Sequence, residues 1–508
     1  MTKRLDSIVG LSWLLACAVL VDFAVAAEGG GTEGKTSTQD RPSPNILFCI
    51  ADDASPHFGC YGCNWAKTPN IDRLAAGGIT FRNAYTPTAK CAPSRAAILT
   101  GRYPWLLEEA ANHQSFFPPM YKSFTEVLAE AGYGVGAQGK FWGPGIARTA
   151  DGATRTWGLM PSTAQKTDAD PGVGFKKFLA ARPQGKPFFY WFGSRYPHRP
   201  YKPDLGLTAG KKPSDIERVP KIWPDNDVVR RDMLDYAVEI ERYDAEVGAL
   251  LKVLEESGEA ENTLVIVTSD HGMPFPRVKG HNYHASNHVP LVAHWPKGIE
   301  KPGRSAEGFI SLIDFAPTFL ELLGLAGEQD GMNGPSGMAK IYGRSLSDIF
   351  AGEAKHDRSV VLLGRERNDV LARPGTEHGL GYPVRGIREG NLLYLVNYAA
   401  DRWPCGNPEL GLIDTDASPT KKWIEDLMPG DKYWELCFGK RPAEELFDLA
   451  VDPDCVVNLA VAADWKQRKG LLREKMDAAL REQEDPRILN RGDVFDRYPS
   501  VKPVGAKK

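Results

Sequence analysis

The segment Asn45–Ala51 limits the fold more than any other. After its first residue it is an unbroken apolar run, Ile46-Leu47-Phe48-Cys49-Ile50-Ala51, and it stops abruptly at Asp52-Asp53. A short run that is apolar at every position predicts a strand buried on both faces, the kind found in parallel sheets. The two acids then fall just past its carboxyl end, where open α/β sheets gather their ligands. The pattern recurs. Phe188-Phe189-Tyr190-Trp191-Phe192 leads into Ser194-Arg195-Tyr196-Pro197-His198, and the β-branched run 263–268 leads into Ser269-Asp270-His271-Gly272. Residues 289–294 repeat the texture before Trp295-Pro296, and 133–137 is a further strand candidate. Between these runs lie helical patterns over 71–76, 123–131 and, at length, 232–255. Strands alternating with helices to about residue 345 predict an α/β fold, a large and mostly parallel sheet with helices on both faces. One acid after a strand is commonly a cap or a turn. Polar residues at several strand ends point to a common site.

Beyond about residue 357 the texture changes. Residues 384–389 and 392–398 read as two strands joined by a Glu-Gly-Asn turn, with short segments at 433–436 and 445–448 and a helix over 463–483. This predicts a smaller C-terminal α+β region containing an antiparallel sheet. The expected organisation is a signal peptide (1–26), a flexible lead-in (27–43), a catalytic domain (44–356), a C-terminal subdomain (357–490) and a tail (491–508) that wraps the surface or frays.

Lys3 and Arg4 precede an apolar stretch, and Ala24-Val25-Ala26 offers a small-residue cleavage site, so the chain is expected to be exported to the periplasm or secreted. Asp22 interrupts the stretch, which argues against a stable membrane anchor. A lipoprotein reading at Cys17 is disfavoured because the apolar run continues beyond it. The chain has 508 residues, is 42% hydrophobic and carries a formal net charge of -3. That supports a large core and leaves no basic footprint for nucleic acid. Eight cysteines in so long a chain do not make a disulfide scaffold. Losing Cys17 with the leader leaves an odd number, so at least one is unpaired or altered if the others pair. Cys60-Tyr61-Gly62-Cys63 has metal or redox spacing but no second pair nearby.

The strongest local signal is residues 90–102, Lys-Cys-Ala-Pro-Ser-Arg-Ala-Ala-Ile-Leu-Thr-Gly-Arg. A helix starting near Pro93 would place Cys91 against free backbone N–H groups, which favour anions and lower a thiol pKa. Arg95 could point back to the same anion. These residues alone support an activated cysteine or an anion site, against the bland alternative of a buried cysteine beside an ordinary helix start.

Cys91-Ala92-Pro93-Ser94-Arg95, continued by Thr100-Gly101-Arg102, resembles the signature of the type I, formylglycine-dependent sulfatases. Residues 45–53, Gly139-Lys140, Pro197-His198-Arg199-Pro200 and Ser269-Asp270-His271-Gly272 extend the likeness over residues 42–350. Met273-Pro274-Phe275-Pro276 and residues 382–397 look closest to the heparan N-sulfatase (sulfamidase) branch and its bacterial relatives. The resemblance implies an alkaline phosphatase-like fold and hydrolysis of sulfate esters or sulfamates on saccharides. It implies that Cys91 is oxidised to formylglycine (3-oxoalanine) by a formylglycine-generating or radical maturation enzyme. It also implies one Ca2+ per subunit, held by Asp52, Asp53, Asp270, His271 and an oxygen of residue 91. Arg95, Lys140 and Lys279 would hold the sulfate, and His198 would protonate the leaving group.

Two positions depart from the family pattern. Gly-Lys-x-His is here Gly139-Lys140-Phe141-Trp142, and the Pro-His after the signature is Pro104-Trp105. His113 is the candidate to replace the lost base, and Trp105 and Trp142 could shape a sugar platform or simply fill space. His284 or His288 could approach the substrate, and His281, His284 and His288 could instead have ordinary loop or packing roles. Arg385 or Arg388 could recognise a carboxylate or sulfate on the sugar. The competing functions are a phosphonate or phosphate ester hydrolase of the same architecture and a non-catalytic binder of sulfated glycans.

Overall fold

In the computed structural model, residues 43–161, 170–327, 334–353 and 355–501 are described. The expected signal peptide, all but the last residue of the lead-in, and residues 502–508 of the tail lie outside them. Seven strands form the central sheet: β1 (Asn45–Ala51), β2 (Ile79–Phe81), β3 (Gly134–Gly139), β4 (Phe188–Gly193), β5 (Thr263–Ser269), β6 (Leu291–His294) and β7 (Arg304–Ala306). Their order is β7-β2-β6-β5-β1-β4-β3. β3, β4, β1 and β5 run parallel, with Phe48 of β1 level with Trp191 on one side and Ile266 on the other. β6 runs antiparallel to both of its neighbours. The chain leaves the carboxyl end of β5 and enters β6 at that same end, with no long crossover helix to return it, so the direction reverses.

All seven residues of β1 are buried, as the unbroken run predicts. The strand's period of two sends Ile46, Phe48 and Ile50 to one face and Leu47, Cys49 and Ala51 to the other. On the first face pack α2 (Cys91–Thr100), α3 (Phe124–Glu130) and α6 (Phe315–Leu322). On the second pack α1 (Pro69–Ala76), α4 (Pro171–Ala181) and α5 (Asp227–Glu256). α5 starts earlier than its apolar spacing suggested because Asn226 caps it, its side chain accepting from Val229 N at 3.0 Å. Tyr236, Ile240, Tyr243, Val247, Leu250 and Leu254 form its core stripe, each large side chain worth about 1.5–3 kcal/mol of burial.

The C-terminal sheet comprises β8 (Val360–Arg365), β9 (Val384–Glu389), β10 (Leu392–Asn397) and β11 (Glu444–Asp448), all antiparallel. One face is covered by α7 (Lys466–Glu482) through Leu472, Met476 and Leu480. The other packs Leu363, Leu393 and Phe447 against Tyr85 and Tyr283 of the preceding region. The described residues form one compact unit. Lys432–Phe438 is a helix. The tail wraps rather than frays as far as Val501: Phe495 is buried, and Ser500 and Val501 both donate to Gln114 O. No helix among the described residues is long and apolar enough to cross a membrane.

Candidate active site

α2 is buried along its whole length. It begins at Cys91, earlier than Pro93 suggested, so the thiol sits in the first turn. Ser94 Oγ donates to Asp270 O at 2.7 Å, and Arg95 Nε donates to Asp270 Oδ2 at 2.9 Å. Gly101 closes the helix in a left-handed conformation, where an added Cβ would lie 2.8 Å from Ile341 Cγ2. The signature is thus read out as a helix locked at both ends, with Cys91 aimed at the carboxyl ends of β1 and β5.

Asp52 and Asp53 follow β1, and Asp270 and His271 follow β5. Asp53 has a φ of 77°. Neighbouring carboxylates therefore turn to different partners: Asp52 accepts from Lys140 Nζ at 2.6 and 2.7 Å, and Asp53 Oδ2 accepts from Lys279 Nζ at 2.6 Å. His271 Nε2 lies 3.1 Å from Asp53 Oδ1 and 3.4 Å from Cys91 Sγ. Its Nδ1 meets Gly272 O at 3.0 Å, which turns Nε2 toward the acids. Two sets of possible ligands, Asp53–Cys91–His271 and Asp52–Cys91–Asp270, share the cysteine.

Backbone fit fixes the lysines. An added Cβ on Gly193 would sit 1.8 Å from Lys140 O, and one on Gly139 would sit 2.1 Å from Gly193 O. Lys279 is carried on a loop pinned by Gly280 N, which donates to Ala89 O at 2.8 Å.

Burial would push the Cys91 thiol up, but Lys140, Lys279 and His271 outweigh it and hold the group well below its usual value. Burial would lower His271, yet Asp270 and Asp53 raise it to about 9. An imidazole held positive in this way marks a surplus of negative charge. Three carboxylates and an imidazole fit a hard divalent cation, which would meet the same acids. Arg95 is mostly engaged as an anchor: besides Asp270 it holds Lys140 O and Phe141 O, and only its buried Nη2 lacks a hydrogen-bond partner.

His198, with its side chain 38% exposed, places Nε2 3.9 Å from Asp53 Oδ2 at the rim. His113 lines the same cavity as Cys91 and helps to lower its thiol, and its Nδ1 is 3.6 Å from Asp369 Oδ1. A cavity of about 480 Å³ joins Cys91, His113, Lys140, His198 and Lys279 with Lys90, Asp369 and Asp416. Lys90 pairs with Asp369 at 3.1 Å, and Lys279 pairs with Asp416 at 2.8 Å. Sequence reasoning missed Lys90, Asp369 and Asp416. Asp369 and Asp416 come from C-terminal loops that carry no motif.

The other substrate candidates lie elsewhere. Arg385 is fully buried, gripped by Asp485 at 2.7 Å and Glu366 at 2.8 Å with its guanidinium over the Trp105 ring. Trp105 stacks on Tyr103 and donates to Gln483 Oε1 at 3.1 Å. A sugar cannot reach either side chain. Arg388, three residues along the strand from Arg385, faces the opposite side over Tyr85 and Phe309. His284 bonds Tyr85 and Arg388, and His288 bonds Arg82 O. Burial lowers these histidines to about 3 and about 4 respectively. They line a separate cavity with His57, and His281 instead meets Cys405 Sγ at 3.2 Å. Trp142 does border a larger cavity next to the catalytic one, but its indole donates to Ala92 O at 3.0 Å and packs edge-on to Phe117, so it braces α2. All seven cysteines among the described residues are free.

Comparison with known proteins agrees with this geometry. The family model described as Sulfatase matches residues 44–325. An ulvan-active sulfatase of Formosa agariphila is 30% identical over 476 residues, covering 91% of this chain and 84% of that protein. The N-sulphoglucosamine sulphohydrolase of Homo sapiens is 27% identical over 497 residues, covering 91% and 95%. Among solved structures, one from work on glycosaminoglycan metabolism by Bacteroides thetaiotaomicron has a TM-score of 0.64 at 19% identity, covering 90% of this chain and all of that one. The phosphonate monoester hydrolase of Agrobacterium radiobacter has a TM-score of 0.59 at 19% identity, covering 87% and 96%. These two share the fold. The matched family spans the strand-end acids, the Cys91 helix and both lysines, and on that ground the chain belongs to the sulfatase family.

Proposed function

We propose that this sulfatase removes sulfate from saccharides, as an ester or a sulfamate, with residue 91 as the nucleophile after its oxidation to formylglycine. The observation that carries this reading is the convergence of Asp52, Asp53, Asp270, His271, Lys140 and Lys279 on one buried cysteine. Asp52, Asp53, Asp270 and His271 would hold a calcium ion, together with an oxygen of residue 91. When bound, that ion supplies charge to polarise the sulfate and to favour the ionised nucleophile. The hydrated aldehyde would supply the attacking hydroxyl; after the bond from sulfur to the sugar has broken, loss of the proton from its second hydroxyl would reform the C=O and break the C–O bond to sulfate, a release not open to an S-sulfonate on a thiol.

The chain's own residues do the rest. Lys140 and Lys279 place two ammonium groups beside residue 91 to hold sulfate oxygens and the charge that builds on them. Arg95 keeps Asp270 and the Lys140 turn in place. His198 stands at the open rim, where the bond from sulfur to the sugar oxygen or nitrogen breaks, and gives its proton to that atom. His113 lines the same cavity as residue 91 and takes over the proton that the histidine replaced by Trp142 would have handled.

The named activities of the relatives, on ulvan and on N-sulphoglucosamine, support an anionic glycan as substrate. Cys91 is only 2% exposed, so a maturation enzyme would act before α2 docks. The leader-like start of the sequence supports export to the periplasm or beyond. The shared architecture with a phosphonate monoester hydrolase favours one second reading, a phosphonate esterase. The test is mass spectrometry of the peptide containing residue 91, alongside turnover of matched sulfate, sulfamate and phosphonate esters before and after chelation. Formylglycine with metal-dependent sulfate release is expected. Full turnover by an unmodified thiol, or phosphonate preferred over sulfate, overturns the reading.

A further inference from the structure

The cleft does not end at His198. A second cavity of about 1120 Å³ shares Lys140, Pro144 and His198 with the catalytic one. It therefore opens on the leaving-group side, past the histidine that would protonate the departing atom. A saccharide whose sulfate sits between Lys140 and Lys279 must extend its remaining units away from Cys91, and this is an open direction of more than twice the catalytic cavity's volume. Such a size exceeds what one sugar ring fills.

The charge of this cavity is uneven. On its floor, Glu239 is paired with Arg242 at 2.7 Å, and Glu246 accepts from Ser194 Oγ at 2.5 Å. Burial raises Glu246 to about 7, so its negative charge is weak at neutral pH. On the rim stand Arg195 and Lys202, both exposed. Among the described residues neither side chain has an ion-pair or hydrogen-bond partner. Most other cations around the two cavities are matched: Lys90, Lys140, Arg199, Arg242 and Lys279 each face a carboxylate. Two unmatched cations beside a roomy extension of the active site suit an anionic group on the next sugar.

We propose that this second cavity is a subsite for the neighbouring anionic unit of an oligosaccharide, with Arg195 and Lys202 binding its carboxylate or sulfate. The inference rests on the reading of the enzyme as a saccharide sulfatase, and it adds a preference for chains of two or more units. Neither residue touches the reacting atoms, so their effect is confined to substrates long enough to reach them.

The experiment compares wild type with Arg195→Ala, Lys202→Ala and the double variant. The substrates are 4-nitrophenyl sulfate, a heparin-derived disaccharide and the corresponding tetrasaccharide. The double variant should lose about ten- to a hundredfold in kcat/KM on the tetrasaccharide, mainly through KM, as expected for lost charge-assisted contacts. It should stay within about twofold on the aryl ester, with which these side chains make no contact. The wild-type preference for the longer substrate should shrink as salt rises. Equal loss on all substrates, or none on any, overturns the subsite. A second arm measures binding of the tetrasaccharide to Cys91→Ala protein with and without the double substitution. Weakening there upholds the subsite even if wild type hydrolyses no sulfate, an outcome that would sink the saccharide sulfatase reading alone; unchanged binding overturns the subsite.

Discussion

Trp142 stands where the family's lysine motif has a histidine, and it cannot move a proton. Its bond to Ala92 O makes it a brace for the helix that presents Cys91. On the proposed mechanism the proton work falls to His113, which lines the same cavity as residue 91 with Asp369 3.6 Å away. Replacing His113 with Ala should lower kcat by about 10²- to 10⁴-fold with little change in KM. Steady-state kinetics on a folded variant would decide it, and a kcat near wild type would remove His113 from the mechanism. Arg385 makes the opposite case. It has the residue type of a sulfate reader, but it is sealed between Asp485 and Glu366. Arg385→Met would leave the buried Asp485 without its ion pair, while Glu366 keeps Arg487 at 2.6 Å, and should destabilise the protein by about 3–5 kcal/mol. Urea unfolding would show the loss, while kcat of the folded fraction should hold. A selective loss of turnover without destabilisation would return Arg385 to the substrate side.

Among the elements, the active site depends on two backbone contacts as much as on side chains. β3 and β4 end in glycines that touch, and this sets where Lys140 emerges. Gly193→Ala would drive a methyl group into Lys140 O and should cut kcat by about a hundredfold, the cost of a misplaced catalytic group. Retained activity in that variant would mean that the turn can shift without moving the ammonium. α5 brings its own pH dependence. Glu246 has a folded pKa of about 7 because burial raises it and Glu239 adds to the rise, against the Ser194 bond. The unfolded group titrates at about 4.3. The native state therefore binds the extra proton between those values, and this residue's contribution to stability falls as pH rises through that window. Glu246→Gln should accordingly raise Tm more at pH 8 than at pH 5. Melting curves at both values test it, and equal shifts would contradict the raised pKa.

At the scale of the whole molecule, what the sequence makes legible is what it keeps local. The strand ending in Asp52-Asp53, the strand ending in Asp270-His271 and the helix from Cys91 are each continuous segments, and their chemistry is visible residue by residue. The lysines at 140 and 279 follow from family spacing. Asp369 and Asp416 do not. Lys90 and Asp369 are 279 residues apart, and no periodicity or motif links them. The Arg385 and Trp105 readings failed for a related reason. Both residue types suit ligand binding, but burial beneath α7 comes from tertiary packing that their neighbours in the chain do not announce. The reversed direction of β6 was hidden in the same way, since an apolar run carries no sign of its orientation.

The tail's attachment to Gln114 has a consequence for synthesis. Gln114 adjoins His113 and donates to Asp369 Oδ1 at 3.1 Å, while Ser500 and Val501 hold its carbonyl. One wall of the catalytic cavity is therefore supported by a residue 386 places further along the chain. A nascent chain can form β1 to β7 and still lack that support, so the wall is finished only after the C-terminal region has been made and has packed.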